Sequence, residues 1–112
     1  MLSETLSEKL RQTNGALWNM YGPTETTIWS SIKKIEHPSQ ASNIGKPINN
    51  TQFYILDAFL DPKPIGIPGA IYIAGDGLAL GYYKNNELTK EKFIQNPFNT
   101  NTLCYETGDV GK

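Results

Sequence analysis

Asn19-Met20-Tyr21-Gly22-Pro23-Thr24-Glu25 follows a short apolar run that begins at Ala16. The run reads as a buried strand, and the Gly-Pro pair reads as the turn that ends it. Ligands in α/β sheets commonly bind at such C-terminal strand ends. Within a few residues this turn gathers an aromatic ring, a hydroxyl and a carboxylate. The set suits a nucleotide: a face for a base, a donor for a phosphate and an oxygen ligand for Mg²⁺. A second segment, Tyr105-Glu106-Thr107-Gly108-Asp109, ends a strand-like run. It sets a carboxylate at a turn, where it could accept both hydroxyls of a ribose.

Working outward, residues 3–14 read as a helix. Leu2, Leu6 and Leu10 fall on one stripe, and either Ser3 or the box Thr5-x-x-Glu8 can cap the start. Glu4 and Glu8 lie early and Lys9 and Arg11 late, in line with the helix dipole. Asn14-Gly15 is a stop signal. Residues 26–35, rich in β-branched side chains, read as extended, and 37–42 as a polar loop and subdomain boundary. Thereafter the pattern is mostly β. Strands are expected at 51–56, 70–74 and 103–106, and a short helix at 87–94.

The chain has 112 residues and a formal net charge of −1. Its Lys and Arg residues are scattered, so neither a nucleic-acid face nor a membrane-binding polybasic run is expected. No apolar stretch approaches the ~18 residues of a membrane span, and the start is not a signal peptide. The single cysteine, Cys104, permits no internal disulfide and reads as a small buried hydrophobe. A reducing cytoplasm fits. His37, beside Pro38 in a loop, reads as a surface residue. Gly75, Gly77 and Gly81 are spaced one residue too long for a dinucleotide fingerprint, and no βαβ unit follows them.

Three ordered motifs carry a resemblance to a known family. Tyr21-Gly22-Pro23-Thr24-Glu25-Thr26-Thr27 resembles the fifth core motif of nonribosomal peptide synthetase adenylation domains. Residues 69–82 (GAIYIAGDGLALGY) resemble the sixth, and 105–109 (YETGD) the seventh. The connecting Asn43-Ile44-Gly45-Lys46-Pro47 and Glu87-Leu88-Thr89-Lys90-Glu91-Lys92-Phe93 resemble the text between them. Departures are Ala70 for a usual Glu, Leu80 for a usual Arg, and Glu106 for a usual basic residue.

The resemblance implies a mixed α/β fold: the end of an α/β sheet subdomain in residues 1–42, then a mostly β, distorted-barrel subdomain in 43–112. It implies an adenylate-forming ligase that joins an amino acid to AMP from ATP and releases pyrophosphate. The acyl group would then pass to the phosphopantetheine thiol of a peptidyl carrier domain, with a condensation domain as a further partner. By the same resemblance Glu25 would bind Mg²⁺ and Thr24 the α-phosphate, these two being the catalytic pair. Tyr21 would stack on adenine, Asn19 would face the base edge, and Asp109 would hold the ribose. Gly22 would set the turn that lets backbone approach the nucleotide. Met20, Ile28 and Trp29 would line the substrate pocket. All three are uncharged and two are bulky, so a small amino acid is expected, glycine first and alanine next.

The family's phosphate-gripping loop and late catalytic lysine are not among these residues. The chain is thus expected to be an internal piece that does not turn over by itself. The alternatives are a piece of an acyl- or aryl-CoA ligase, against which Tyr-Gly-Pro-Thr-Glu-Thr-Thr argues, and a non-catalytic remnant.

Overall fold

A computed structural model describes residues 3–12 and 15–112. Helix α1 spans Glu4–Arg11, and the Ser3 hydroxyl caps it by accepting from the Leu6 N–H at 3.1 Å. The Thr5-x-x-Glu8 box therefore lies inside the helix, and Ser3 is the cap. Leu2 and Asn14 lie outside the described residues. Leu6 and Leu10 are exposed, and the buried position of the helix is Ser7. The helix packs against a 3₁₀ turn at Pro38–Gln40.

The first sheet has the order β1-β2-β3, with β1 at Leu17–Tyr21, β2 at Ser31–Ile35 and β3 at Lys46–Pro47. Both pairings are antiparallel, and Leu17 lies opposite Ile35 and Tyr21 opposite Ser31. The extended run expected over 26–35 is realised only from Ser31. Residues Thr24–Thr26 instead form a 3₁₀ turn. Pro23 presets the entry at φ −66°, and its carbonyl accepts both the N–H and the hydroxyl of Thr26, each at 3.1 Å. These local bonds outcompete the β propensity of the threonines.

The second sheet has the order β4-β5-β7-β6: β4 Thr51–Leu56, β5 Gly69–Gly75, β6 Phe93–Gln95 and β7 Leu103–Gly111. Every pairing is antiparallel. The sheet is open, so the barrel implied by the resemblance is not closed among the described residues. β5 is buried on both faces. Tyr72 and Ala74 join Leu56 and Cys104 in one core cluster. On the opposite face Ile73 lies across from Phe53 and Tyr105. Cys104 is fully buried, and burial pushes its thiol up to about 11.

Helix α2, Asn86–Lys92, is capped by the Asn85 side chain, which accepts from Leu88 N–H at 3.1 Å. It ends two residues earlier than the expected 87–94, because Phe93 and Ile94 enter the sheet as β6. β7 runs to Gly111, five residues past the expected end at Glu106. Between the pairs Tyr72–Glu106 and Ala70–Val110, one β5 residue, Ile71, opposes three on β7, Thr107 to Asp109. This is a bulge, pinned by the Thr107 hydroxyl donating to the Ile71 carbonyl at 2.9 Å. No helix among the described residues is long and apolar enough to cross a membrane.

Candidate functional site

The period-2 alternation of β1 turns Leu17, Asn19 and Tyr21 to its more buried face and leaves Trp18 and Met20 on the exposed one. The Asn19 amide nitrogen donates to the carbonyls of Ala41 and Asn43, each at 3.0 Å. Its amide hydrogens are thus used inside the chain, and only Oδ1 is left to meet a ligand, as an acceptor.

Tyr21 and Asp109, 88 residues apart in sequence, meet through a hydrogen bond of 2.6 Å from the Tyr21 hydroxyl to Asp109 Oδ2. The bulge on β7 makes this meeting possible, since the extra residues re-aim Asp109 away from the regular ladder. The Asp109 N–H also donates to Thr107 Oγ1 at 3.0 Å. Burial, and then the bond to Asp109, push the Tyr21 hydroxyl up to about 12, so it remains a neutral donor near pH 7. The Tyr21 ring makes an edge contact with Phe53, with centroids 6.2 Å apart. The two sequence motifs therefore share one location, joined through side chains of both sheets.

Gly22 sits where the returning chain crosses over the turn. A Cβ on it would lie 2.6 Å from the Ile28 carbonyl and 2.8 Å from the Trp29 Cα. The backbone that Gly22 admits in this structure is the chain's own. Ser30 N–H donates to the Tyr21 carbonyl at 2.8 Å and closes the crossing, and the buried Ser30 and Thr26 hydroxyls lie 2.6 Å apart. Between these anchors Thr27 and Ile28 both have positive φ, 59° and 49°. For β-branched residues this is a true outlier, costing on the order of 1–3 kcal/mol each. The strained pair presents Ile28 and Trp29 at the surface, 67% and 48% exposed; Met20 on β1 is 43% exposed.

Thr24 is exposed at the start of the 3₁₀ turn, and Glu25 follows it, partly buried. Tyr82 donates its hydroxyl to Glu25 Oε1 at 2.8 Å. Burial opposes ionisation of Glu25. Hydrogen bonds from its own backbone N–H and from the hydroxyls of Tyr82 and Tyr105 outweigh it and hold the carboxyl below its usual range. Among the described residues no three His, Cys, Asp or Glu side chains converge on one point. A lone ionised carboxylate next to an exposed hydroxyl suits a Mg²⁺ ion that takes its other ligands from phosphates and water, and not a metal caged by protein.

Sequence reasoning proposed Tyr21, Thr24, Glu25 and Asp109 for one nucleotide site without naming contacts; the structure bonds Tyr21 to Asp109 and sets Thr24 and Glu25 on one turn. That reasoning missed Tyr82, which lies inside a quoted motif, because a tyrosine's partner across the fold leaves no local signal. Glycines 75 and 77 both lie against backbone: a Cβ on Gly75 would clash with the Asn50 carbonyl, and one on Gly77 would lie 2.8 Å from the Thr26 carbonyl. His37 is exposed and starts the 3₁₀ turn at 38–40.

A family model described as AMP-binding enzyme matches residues 1–83. The chain is 47% identical over 102 residues to tyrocidine synthase 3 of Brevibacillus parabrevis, covering 88% of this chain and 2% of that protein. It is 46% identical over 113 residues to the dimodular nonribosomal peptide synthase of Bacillus subtilis, covering 99% of this chain and 5% of that one. Among solved structures, it is similar to a holo four-domain nonribosomal peptide synthetase crystallised with AMP and glycine. That match has 43% identity and a TM-score of 0.89, over 98% of this chain and 8% of the other. The chain therefore spans only a few per cent of the curated relatives it matches. A match over most of its length, together with identities above two-fifths, establishes that this chain belongs to the AMP-binding enzyme family.

Proposed function

We propose that the chain is part of an amino-acid adenylation domain and supplies one wall of its nucleotide site. The observation that carries this reading is the 2.6 Å contact between Tyr21 and Asp109, which unites the two nucleotide-type motifs of an AMP-binding family member. Residues 1–42 would close an α/β subdomain and 43–112 would form a mostly β one, with Lys46–Pro47 pairing back onto the first sheet.

In the reaction a substrate carboxylate oxygen bonds to the α-phosphorus of ATP as the α–β bridging P–O bond breaks, releasing pyrophosphate. Thr24 would donate its hydroxyl to the α-phosphate, where negative charge builds. Glu25 would hold Mg²⁺, whose charge offsets that of the phosphates. Asn19, its amide hydrogens already committed, would accept from the exocyclic amine of adenine through Oδ1. Tyr21 would flank the base. Asp109 keeps lone pairs for the ribose hydroxyls even while Oδ2 accepts from Tyr21. The aminoacyl group would pass to a phosphopantetheine thiol on a carrier domain.

Met20, Ile28 and Trp29 would bound the side-chain pocket and favour a small substrate, glycine before alanine. The likeness to a synthetase crystallised with glycine supports that order. The test is pyrophosphate exchange by the full-length protein carrying this segment, against a panel of amino and carboxylic acids. Exchange stimulated most by glycine or alanine is expected. Stimulation by an aryl or acyl acid alone would move the reading to a CoA ligase, and preference for a charged or aromatic amino acid would overturn the pocket assignment.

A further inference from the structure

The loop between β5 and α2 folds onto the 24–27 turn at three polar points. Ala79 N–H donates to the Glu25 carbonyl at 2.8 Å, and the Thr27 hydroxyl donates to the Gly77 carbonyl at 2.7 Å. The third point is the Tyr82 hydroxyl on Glu25 Oε1 at 2.8 Å. Tyr82 is itself fixed from two sides. Its N–H donates to Thr89 Oγ1 at 2.8 Å, and that hydroxyl donates to the Asn85 carbonyl at 2.9 Å, at the cap of α2. Its ring packs edge-on against Phe93, centroids 5.7 Å apart, and Phe93 in turn packs on the buried Tyr105 at 5.2 Å. The path thus runs from the α2 cap through Thr89 and Tyr82 to the carboxylate.

From this geometry we infer that Tyr82 is a positioning residue for Glu25, holding one carboxylate oxygen so that the group meets its cation in a single orientation. The inference rests on the reading of Glu25 as a Mg²⁺ ligand. A glutamate side chain otherwise loses much rotamer freedom on ordering, and a fixed outer partner removes that cost from the binding step. The role is distinct from packing, since Phe at position 82 keeps the ring and removes only the hydroxyl.

The experiment uses the full-length protein with Tyr82→Phe, Glu25→Gln and Tyr83→Phe, the last at a neighbouring exposed ring. Three quantities are read: the Mg²⁺ concentration giving half-maximal exchange, the affinity for Mn²⁺ in the presence of a non-hydrolysable ATP analogue by electron paramagnetic resonance, and the melting temperature. Tyr82→Phe is expected to weaken both metal readings by roughly 10-fold or more, the usual range for outer-shell partners. KM for the amino acid and the behaviour of Tyr83→Phe should stay unchanged. If Glu25→Gln weakens the metal readings and Tyr82→Phe does not, the positioning role is wrong while the ligand assignment stands. If Tyr82→Phe lowers only the melting temperature, its role is structural and the inference fails. If Glu25→Gln leaves both metal readings unchanged, the ligand assignment falls and the inference falls with it.

Discussion

In the second sheet β4 and β5 pair in unbroken register from Thr51–Gly75 to Leu56–Ala70, over a core of Leu56, Tyr72, Ala74 and Cys104. In the first, the chain leaves β1 through a Gly-Pro turn, crosses over Gly22, and passes through two consecutive β-branched residues of positive φ before it can pair again as β2. The β4–β5 ladder is regular, and β5 is buried on both faces. The first sheet is irregular here and leaves Met20, Ile28 and Trp29 at the surface. Strain of this kind persists only where surrounding bonds over-determine it. Here those bonds come from both sides: Ser30 to Tyr21 within the first sheet, and Ala79 and Gly77 from the loop that follows β5. The second sheet thus serves as scaffold for a turn that could not hold its shape alone.

Substitutions can separate these two roles. The largest effect is expected at the scaffold. Leu56→Ala, at a site 1% exposed, should cost about 3 kcal/mol of stability, read as a lower thermal or urea midpoint of the full-length protein. The molecules still folded should keep their KM for ATP; a raised KM would show that the sheet also tunes the site. Gly22→Ala should act on the turn instead. Its methyl group would displace the 28–30 crossing, and a misplacement of about 1 Å can lower turnover by about 100-fold. The clash is with three backbone atoms, so stability falls as well, and a variant with full exchange activity and unchanged stability would mean that the crossing relaxes freely. The smallest effect is expected at Ser7, whose buried hydroxyl finds no hydrogen-bond partner among the described residues. Ser7→Ala removes that unpaired group and favours the helix, so stability should stay level or rise by about 0.5 kcal/mol, with exchange unchanged. A clear loss of stability would reveal a partner for Ser7.

The contrast also explains what was legible in advance. Strands 51–56 and 69–75 announce themselves by β-branched and aromatic residues between turn signals, because a regular strand expresses its environment locally. The 24–26 turn did not, because Thr-Glu-Thr-Thr has β propensity and the deciding bond, Thr26 to the Pro23 carbonyl, is a choice among local alternatives. The leucines of α1 form a sound helical stripe, yet Leu6 and Leu10 are exposed while Ser7 is buried, since a stripe shows periodicity and says nothing of which neighbour will cover it.

By itself the sequence determined the residue chemistry of the site. The aromatic-turn-hydroxyl-carboxylate cluster at 21–25 and the Thr-Gly-Asp at 107–109 are fixed by covalent order and short-range sterics. Tertiary structure alone decided that Asp109 meets Tyr21, that Gly22 is reserved for the chain's own crossing, and that Tyr82 reaches Glu25 across 57 residues. Such contacts depend on a bulge in β7 and on how a loop docks against a turn. The first is set by strand pairing within the second sheet and the other by bonds between distant loops, and for neither does a linear pattern carry a local signature.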